Sequence, residues 1–537
     1  MRTEEESSQV RYVVGIDLGT TNCAVSYVDL QRATESGSGV FPTSFLIPQA
    51  VAPNVVEERD VLPSFFARFP DPPLMNWEER GSRRDFSLKG RGAVNPKDGK
   101  LGVVGTLARD YGASESESFV SSAKSWLCHE RVDRTAPILP WNATESGDSD
   151  GATRRRWSPV EISSYYLAHI RAAWNDRFPD FPLETQDVVL TIPASFDETA
   201  RTLTLAAAKL AGIPRAALVE EPQAAFYSWL ARHENDWTQY VKPSWKILVC
   251  DVGGGTTDFA LIYALQRDDE TSDALAKSVK FYRVAVGDHL VLGGDNLDLT
   301  LYKYLEEKIL ERRPGALSSR ERATLLKEAR EAKEFFLGDG NDERKRTFVL
   351  PGVGSKLVGG SATIEIDRAD VEKLLVDGFF PRVDRTSEPS RRRAGRREAS
   401  LPYAFDPAVT KHLARFLAAH KNAGRDLERA GALGGLSQLN ADANAPDVDV
   451  VLFNGGAFES PKLRDRIVES LESWQGVRPV VLQNENLYLA VAHGAAYYGL
   501  ALRGLVARVG ASLARTYYVG VDLNSMDSKS KPKAVCL

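Results

Sequence analysis

One plan is written twice in this chain: an apolar strand ending in aspartate, a turn of glycine and threonine, and a second apolar strand. Residues 13–28 carry it as VVGIDLGTTNCAVSYV and residues 247–263 as ILVCDVGGGTTDFALIY. Asp17 is equivalent to Asp251 and Thr20 to Thr256, the second turn holding one extra glycine. Strands alternating with helices around two such units specify two similar α/β lobes facing each other. A cleft between lobes is the default place for a ligand.

The chemistry of the turns points to polyphosphate. Glycines let backbone N–H groups approach a ligand with no Cβ in the way, threonine hydroxyls add donors, and successive N–H groups form an anion nest. The strand-end carboxylates cannot hold phosphate themselves. They suit a hydrated Mg²⁺, which keeps most of its waters and binds through few carboxylates. The chain contains no GxxxxGK[ST], so a Walker-type loop is excluded.

The elements between the two units read as follows. DVVLTIPASF, from Asp187, is a strand leading into a helix with Asp197 as N-cap, Leu203, Ala206, Ala207 and Leu210 as its apolar stripe, and Gly212 at its stop. Residues 319–337 form a charged amphipathic helix with Leu325, Ala329, Ala332 and Phe336 on one stripe. DVDVVLFNGGAFESPKLRDRI gives a strand, a Gly–Gly turn and a helix opened by Ser460 and Pro461. LYLAVAHGAAYYGLAL is a small-residue helix suited to close packing.

Three stretches carry a family resemblance. GIDLGTTN (15–22), CDVGGGTTDFAL (250–261) and FNGGAFESP (453–461) resemble the two phosphate motifs and the adenosine motif of the heat-shock protein 70 chaperones. Connecting stretches agree: VLTIPASFDETAR (189–201), EEPQAAF (220–226) and LGGDNLD (292–298). The likeness runs from about residue 11 to about residue 505, and SAKSWL (122–127) and LPYAFDP (401–407) resemble a divergent bacterial branch of that family. It implies a two-lobed actin-like ATPase fold, with duplicated ribonuclease H-like lobes around a nucleotide cleft. Lobe I is expected over 11–235 and lobe II over 236–505, the last helix returning to lobe I. Residues 1–10 are expected as a disordered tail and about 385–400 as a basic insert. The tail 506–537 is too short for a complete peptide-binding domain, so peptide binding by this chain alone is not expected.

The resemblance also implies roles. The cofactors are ATP/ADP and Mg²⁺, with K⁺ as a candidate monovalent ion. Asp17 and Asp251 would hold Mg²⁺ through water. Gly19, Thr20, Thr21, Asn22, Gly253, Gly254, Gly255, Thr256 and Thr257 would surround the phosphates, and Gly293 and Gly294 belong to the second-lobe turn. Lys124 falls at the catalytic lysine. Glu221 falls at the carboxylate that orients the metal waters and couples the lobes, and Asp258 at one near the attacking water or the monovalent cation. Arg330, Lys333, Glu334, Gly455, Gly456 and Ala457 fall around the nucleoside. Co-chaperone and nucleotide-exchange proteins would be the partners.

The base pocket departs from the pattern. Arg330 stands where glutamate is usual, Glu334 where a basic residue is usual, Leu337 where serine is usual, and Glu459 where arginine commonly stacks on adenine. A carboxylate cannot stack as a guanidinium does. The expectation is an Arg330–Glu334 salt bridge at i, i+4, Glu459 paired with Arg330, and weak discrimination of ATP from GTP.

Composition narrows the alternatives. A net charge of −5 over 537 residues argues against nucleic acid or an anionic membrane as the main partner. The cluster Arg391, Arg392, Arg393, Arg396 and Arg397 lacks interleaved aromatics and reads as a solvated insert. No run of about 18 apolar residues and no secretory leader is visible, and the cysteines form no CxxC pair, so a reduced, cytoplasmic protein is expected. The rival functions are a nucleotide-sensing module with little turnover and a small-molecule kinase, for which no sugar-site signature is present.

Overall fold

The computed structural model describes residues 10–36, 40–52, 55–68, 102–115, 118–129, 131–141, 156–267, 279–288, 290–350, 362–390, 404–423, 436–437, 446–506, 509–511, 518–521 and 533–536. The N-terminal tail up to residue 9, most of the 141–156 loop, the arginine cluster at 391–397 and the first residues of LPYAFDP therefore lie outside the described residues.

Each copy of the repeated plan forms a β-hairpin at the centre of a sheet. In the first sheet, β1 (Tyr12–Leu18) and β2 (Asn22–Asp29) pair antiparallel. β3 (Asp187–Ile192) lies parallel to β1, and β4 (Ala216–Glu220) lies parallel to β3. The order is β4-β3-β1-β2, continued by Thr43–Ser44. The second sheet repeats the order and directions with β5 (Lys246–Val252), β6 (Thr257–Arg267), β7 (Val279–Val286), β8 (Val450–Asn454) and β9 (Val480–Leu482), as β9-β8-β5-β6-β7. β5 and β6 are antiparallel, and β8 and β9 run parallel to β5. The mixed α/β architecture is that of the actin-like ATPases.

The helices that matter for the cleft are α1 (Ala123–Trp126), α2 (Pro159–Arg177), α3 (Glu198–Leu210), α4 (Glu221–Arg232), α5 (Gly294–Arg312), α6 (Ser319–Leu337), α7 (Pro461–Gln475) and α8 (Ala490–Leu502). α2 starts at a capping box, Ser158 accepting from the Glu161 N–H while the Glu161 side chain takes the Ser158 N–H. α3 starts at Asp197, which accepts from the Ala200 N–H at 2.7 Å. Its buried face is Ala200, Thr204, Ala207 and Ala208, whereas Leu210 is 66% exposed. Of the expected stripe, Ala207 is buried and Leu203 and Ala206 pack half-buried against the first core, while Leu210 in the last turn points outward. α6 has Leu325, Ala329, Ala332 and Phe336 fully buried.

Three cores result. One lies behind the first sheet and includes Val14, Ile16, Ile170 and Trp174. One lies behind the second and includes Leu248, Leu301, Leu325 and Phe336. The third joins the sheets: Val13 and Val28 from the first and Ile247, Val249, Ala260 and Ile262 from the second enclose Phe226 and Trp229 of α4 and Ala496 and Leu500 of α8. α4 and α8 are thus a slab shared by both sheets. Their backbones touch, since a Cβ on Gly494 would overlap the carbonyl of Ala224.

Short strands are also present near the C-terminal end of the described residues. Gly510–Ala511 adds to β7 in parallel, and Tyr518–Val521 pairs antiparallel with Lys533–Cys536. No helix among the described residues is long and apolar enough to cross a membrane.

Candidate functional site

The two turns meet head-on. A Cβ on Gly255 would lie 2.6 Å from Cγ2 of Thr20, and one on Gly254 would overlap the Thr21 hydroxyl. Glycine is required here by the opposing turn, and no larger residue fits between them. A cleft of about 710 Å³ opens at this meeting point, within the range of small-molecule sites.

Register places the two aspartates equivalently and gives each a brace. Thr191, next after Leu190, which pairs with Ile16, donates its hydroxyl to Asp17 Oδ1 at 2.6 Å. Asn454, directly opposite Asp251 on β8, donates Nδ2 to Asp251 Oδ2 at 2.9 Å. Burial pushes Asp17 up to about 6, Lys124 opposing and Glu221 adding to it. Burial and then the neighbouring Glu221 and Asp258 push Asp251 upward as well.

Lys124 reaches the cleft from α1, a four-residue turn that begins after Ser122 in the left-handed region (φ 54°, ψ 32°). A non-glycine residue held there is strained, and Trp126, stacked on both His129 and Trp141, anchors the turn that holds it. The Lys124 side chain is 6% exposed, and its ammonium pairs with Glu221 at the start of α4. Burial alone would lower its pKa, but Glu221 and Asp17 carry it upward. The ammonium stays charged, while Glu221 is raised by burial against the pull of Lys124.

The expected site residues fall into two layers. Asp17, Gly19, Thr20, Thr21, Asn22, Lys124, Glu221, Asp251, Gly253, Gly254, Thr256, Gly294, Arg330, Lys333, Glu334, Gly455, Gly456 and Ala457 line the cleft. Asp258, Gly255, Thr257 and Gly293 do not line it. Asp258 accepts from Ser195 Oγ at 2.9 Å, behind the wall, and bears electrostatically on Lys124. The Thr257 hydroxyl donates to the Leu292 carbonyl at 2.7 Å. Gly293 backs the second glycine–threonine turn, whose Gly253 and Gly254 carbonyls accept from the N–H groups of Gly294 (2.9 Å) and Asp295 (2.7 Å). These residues build the turn rather than face the cleft.

The end of the cleft lined by α6 corrects the expected charge pairing. Arg330 Nε donates to Asp298 Oδ2 at 3.0 Å, and Lys333 Nζ lies 2.6 Å from Asp298 Oδ1. One aspartate on α5 takes both Arg330 and Lys333 of α6, in place of the i, i+4 bridge to Glu334 and the pairing with Glu459. The exposed side chains of Glu334 and Glu459 stand on the cleft wall.

Other lining residues were not singled out from sequence: Asp60, Arg109, Asp295, Asp298, Asn454, Ser460, Asn486 and Tyr488. Asp295, Asp298, Asn454 and Ser460 sit inside motifs already read, so their positions were available. Nothing local marks Arg109 or Tyr488. A further feature was also unread: Glu220, just before Glu221, accepts from Arg201 at 2.7 Å and pairs with Arg283 of β7. That buried ion pair links the two sheets one residue from the Lys124–Glu221 pair. Among the described residues no group of three or more His, Cys, Asp or Glu side chains forms a metal cage. Two aspartates acting through water need none.

Comparison with known proteins adds the family context. The family model described as "Hsp70 protein" matches residues 96–393, more than half of the chain. The chain is similar to a protein named "Chaperone protein HscA homolog" from Pseudoalteromonas atlantica, 32% identical over 238 residues, covering 43% of this chain and 34% of that protein. Proteins of the same name from Polynucleobacter asymbioticus and Haemophilus influenzae are each 28% identical, over 329 and 322 residues, covering 61% and 60% of this chain and 42% of each relative. The matched part thus spans well under half the length of these relatives.

Proposed function

The chain belongs to the Hsp70 family, and from that premise we propose that its cleft binds Mg²⁺-ATP and hydrolyses the terminal phosphate as the nucleotide-dependent part of a chaperone. The observation that carries the reading is the Lys124–Glu221 pair, placed where two glycine–threonine turns from two sheets meet.

The residues present fit a hydrated divalent cation. Asp17, Glu221, Asp251 and Asp258 crowd one region, and Lys124 is the cation that bears on this group. That leaves negative charge in excess. Asp17 and Asp251 would hold Mg²⁺ through water, and the ion, when bound, supplies charge neutralisation to the polyphosphate. The chain's own groups do the rest. Backbone N–H groups and hydroxyls of the two turns hold the phosphates. Lys124 places positive charge beside the transferring group, where charge builds in the transition state. Glu221 holds that ammonium in place and accepts hydrogen bonds from water. Asp258, fixed by Ser195, keeps Lys124 charged from behind.

The turns come from both sheets, so nucleotide state is expected to change the angle between them. A co-chaperone or nucleotide-exchange partner would read that change. The altered base pocket favours a second reading, a sensor that binds nucleotide and turns over little.

Phosphate release by the purified chain with ATP and Mg²⁺, run under single-turnover conditions, separates the readings. Release that stops when Lys124 is substituted supports hydrolysis. Tight ADP binding with no release supports the sensor, and absence of any nucleotide binding refutes both.

A further inference from the structure

Where the family resemblance places the nucleobase, the side chains at hand are not free to stack on a purine. Arg330 and Lys333 are both engaged by Asp298, and Glu459 cannot stack. Tyr488, in contrast, lines the cleft and is 44% exposed. Its ring lies against the third turn: a Cβ on Gly456 would be 2.9 Å from Tyr488 Cε1. The backbone that presents it is pinned, because Asn486 Oδ1 accepts from the N–H of Tyr488 at 2.9 Å and from that of Leu489 at 3.2 Å. A pinned aromatic on a cleft wall loses little freedom when a flat ligand covers it. Burial, and then Glu334 and Glu459, push its hydroxyl up to about 12, so at neutral pH the ring is the uncharged phenol.

A second observation comes from the same cleft, four residues beyond Gly456. Ser460 lines the cleft, is only 6% exposed, and its Oγ has no hydrogen-bond partner among the described residues. A buried hydroxyl without a partner is costly unless a ligand satisfies it.

We propose that Tyr488 is the stacking platform for the nucleobase and that Ser460 Oγ makes a hydrogen bond to the same nucleoside. This rests on the nucleotide-binding reading and deepens it: the base is recognised by a phenol ring and a serine hydroxyl instead of a guanidinium stack. Stacking on an aromatic contributes enough that its removal costs roughly 5- to 150-fold in affinity.

The test compares ADP with inorganic tripolyphosphate, which carries the phosphates and no base, by calorimetric titration in Mg²⁺. Tyr488→Ala should weaken ADP binding at least about fivefold and leave tripolyphosphate affinity unchanged. Tyr488→Phe should restore ADP binding, because the ring does the stacking. Ser460→Ala should weaken ADP roughly two- to twelvefold, again without effect on tripolyphosphate. Unchanged tripolyphosphate binding also shows that each variant is folded. Equal ADP affinity in Tyr488→Ala and the parent overturns the platform while leaving the nucleotide reading intact. Loss of both ligands together, or a parent that binds neither, overturns the proposal, and the second outcome removes the nucleotide reading with it.

Discussion

Replacing Lys124 by alanine tests the site most directly, because the structure predicts two separate consequences. The first concerns catalysis. The ammonium is the positive charge placed at the meeting of the turns, and losing one such group typically slows the chemical step by about 10²- to 10³-fold. The phosphate turns themselves are untouched, so ADP affinity should change little. The second concerns stability. Lys124 is 6% exposed and Glu221 11%, and removing one partner of a buried pair costs up to about 3–5 kcal/mol. The upper end does not apply, since both side chains line an open cleft and water can enter the space left. A loss of about 1–3 kcal/mol is expected, within the range for one uncompensated buried polar group.

A double-mutant cycle distinguishes this from a generic surface lysine. Glu221→Ala alone leaves Lys124 without its main partner, and the double substitution removes both charges. If the pair acts as a unit, the two hydrolysis losses are far from additive, and the double variant is less destabilised than the sum of the singles. Single-turnover phosphate release and urea unfolding read the two effects separately. Lys124→Ala hydrolysing ATP at the parental rate, in a parent that does hydrolyse it, would refute the role assigned to this lysine.

Two further outcomes follow from particular contacts. Gly494→Val should destabilise the chain by about 3 kcal/mol or more and lower its melting temperature, because the new side chain has no place between α8 and the Ala224 carbonyl on α4; a variant as stable as the parent would show that these helices do not touch. Asp406 is held at about 2: burial would raise it, but the N–H groups of Ser390 and Ala408 and the Lys411 ammonium pull it below its usual value of 3.8. A depressed folded-state value means the stabilisation is fully present above about pH 4 and is lost as pH falls through about 2. Asp406→Asn should therefore cost about 2–3 kcal/mol at pH 7, with the gap to the parent closing under acid. A gap independent of pH would contradict the assignment.

The duplicated unit was legible because each copy is contiguous in sequence and its glycines and threonines sit beside the strands they join. The stripe of α6 was legible for a similar reason: Leu325, Ala329, Ala332 and Phe336 are one helical face and all are buried. The stripe of α3 is legible for three of its four residues: Ala207 is buried and Leu203 and Ala206 pack against the core, whereas Leu210, in the last turn, turns outward. Ala200, Thr204 and Ala208 complete the buried face. The pairing of Arg330 could not be read from α6 alone, since Asp298 stands 32 residues earlier on another helix and outcompetes the neighbour at i+4. The setting of Asp258 could not be read from its own motif, because its anchor, Ser195, lies on the loop after β3, in the other half of the chain. Tyr488 carries no motif at all, and only the fold brings it against Gly456.

The two halves share a plan but divide the work. Each supplies a turn and an aspartate braced from the neighbouring parallel strand, by Thr191 in one and Asn454 in the other. Beyond that they diverge. Lys124 and Glu221 come from the first half, while Arg330, the Gly455–Ala457 turn and Tyr488 come from the second. Glu221 is the first residue of α4, and α4 with α8 fills the space between the sheets. Glu220, its neighbour, is tied to Arg283 of β7 in the second sheet. A displacement of Glu221 is therefore a displacement of the first turn of a buried helix against both sheets. Packed interfaces of this kind shift between discrete arrangements rather than deform smoothly. On this geometry the reacting end of the cleft is joined to the angle between the lobes through one rigid helix. On the proposed nucleotide reading, the end of the cleft lined by Arg330, the Gly455–Ala457 turn and Tyr488 would select the ligand present when that helix moves.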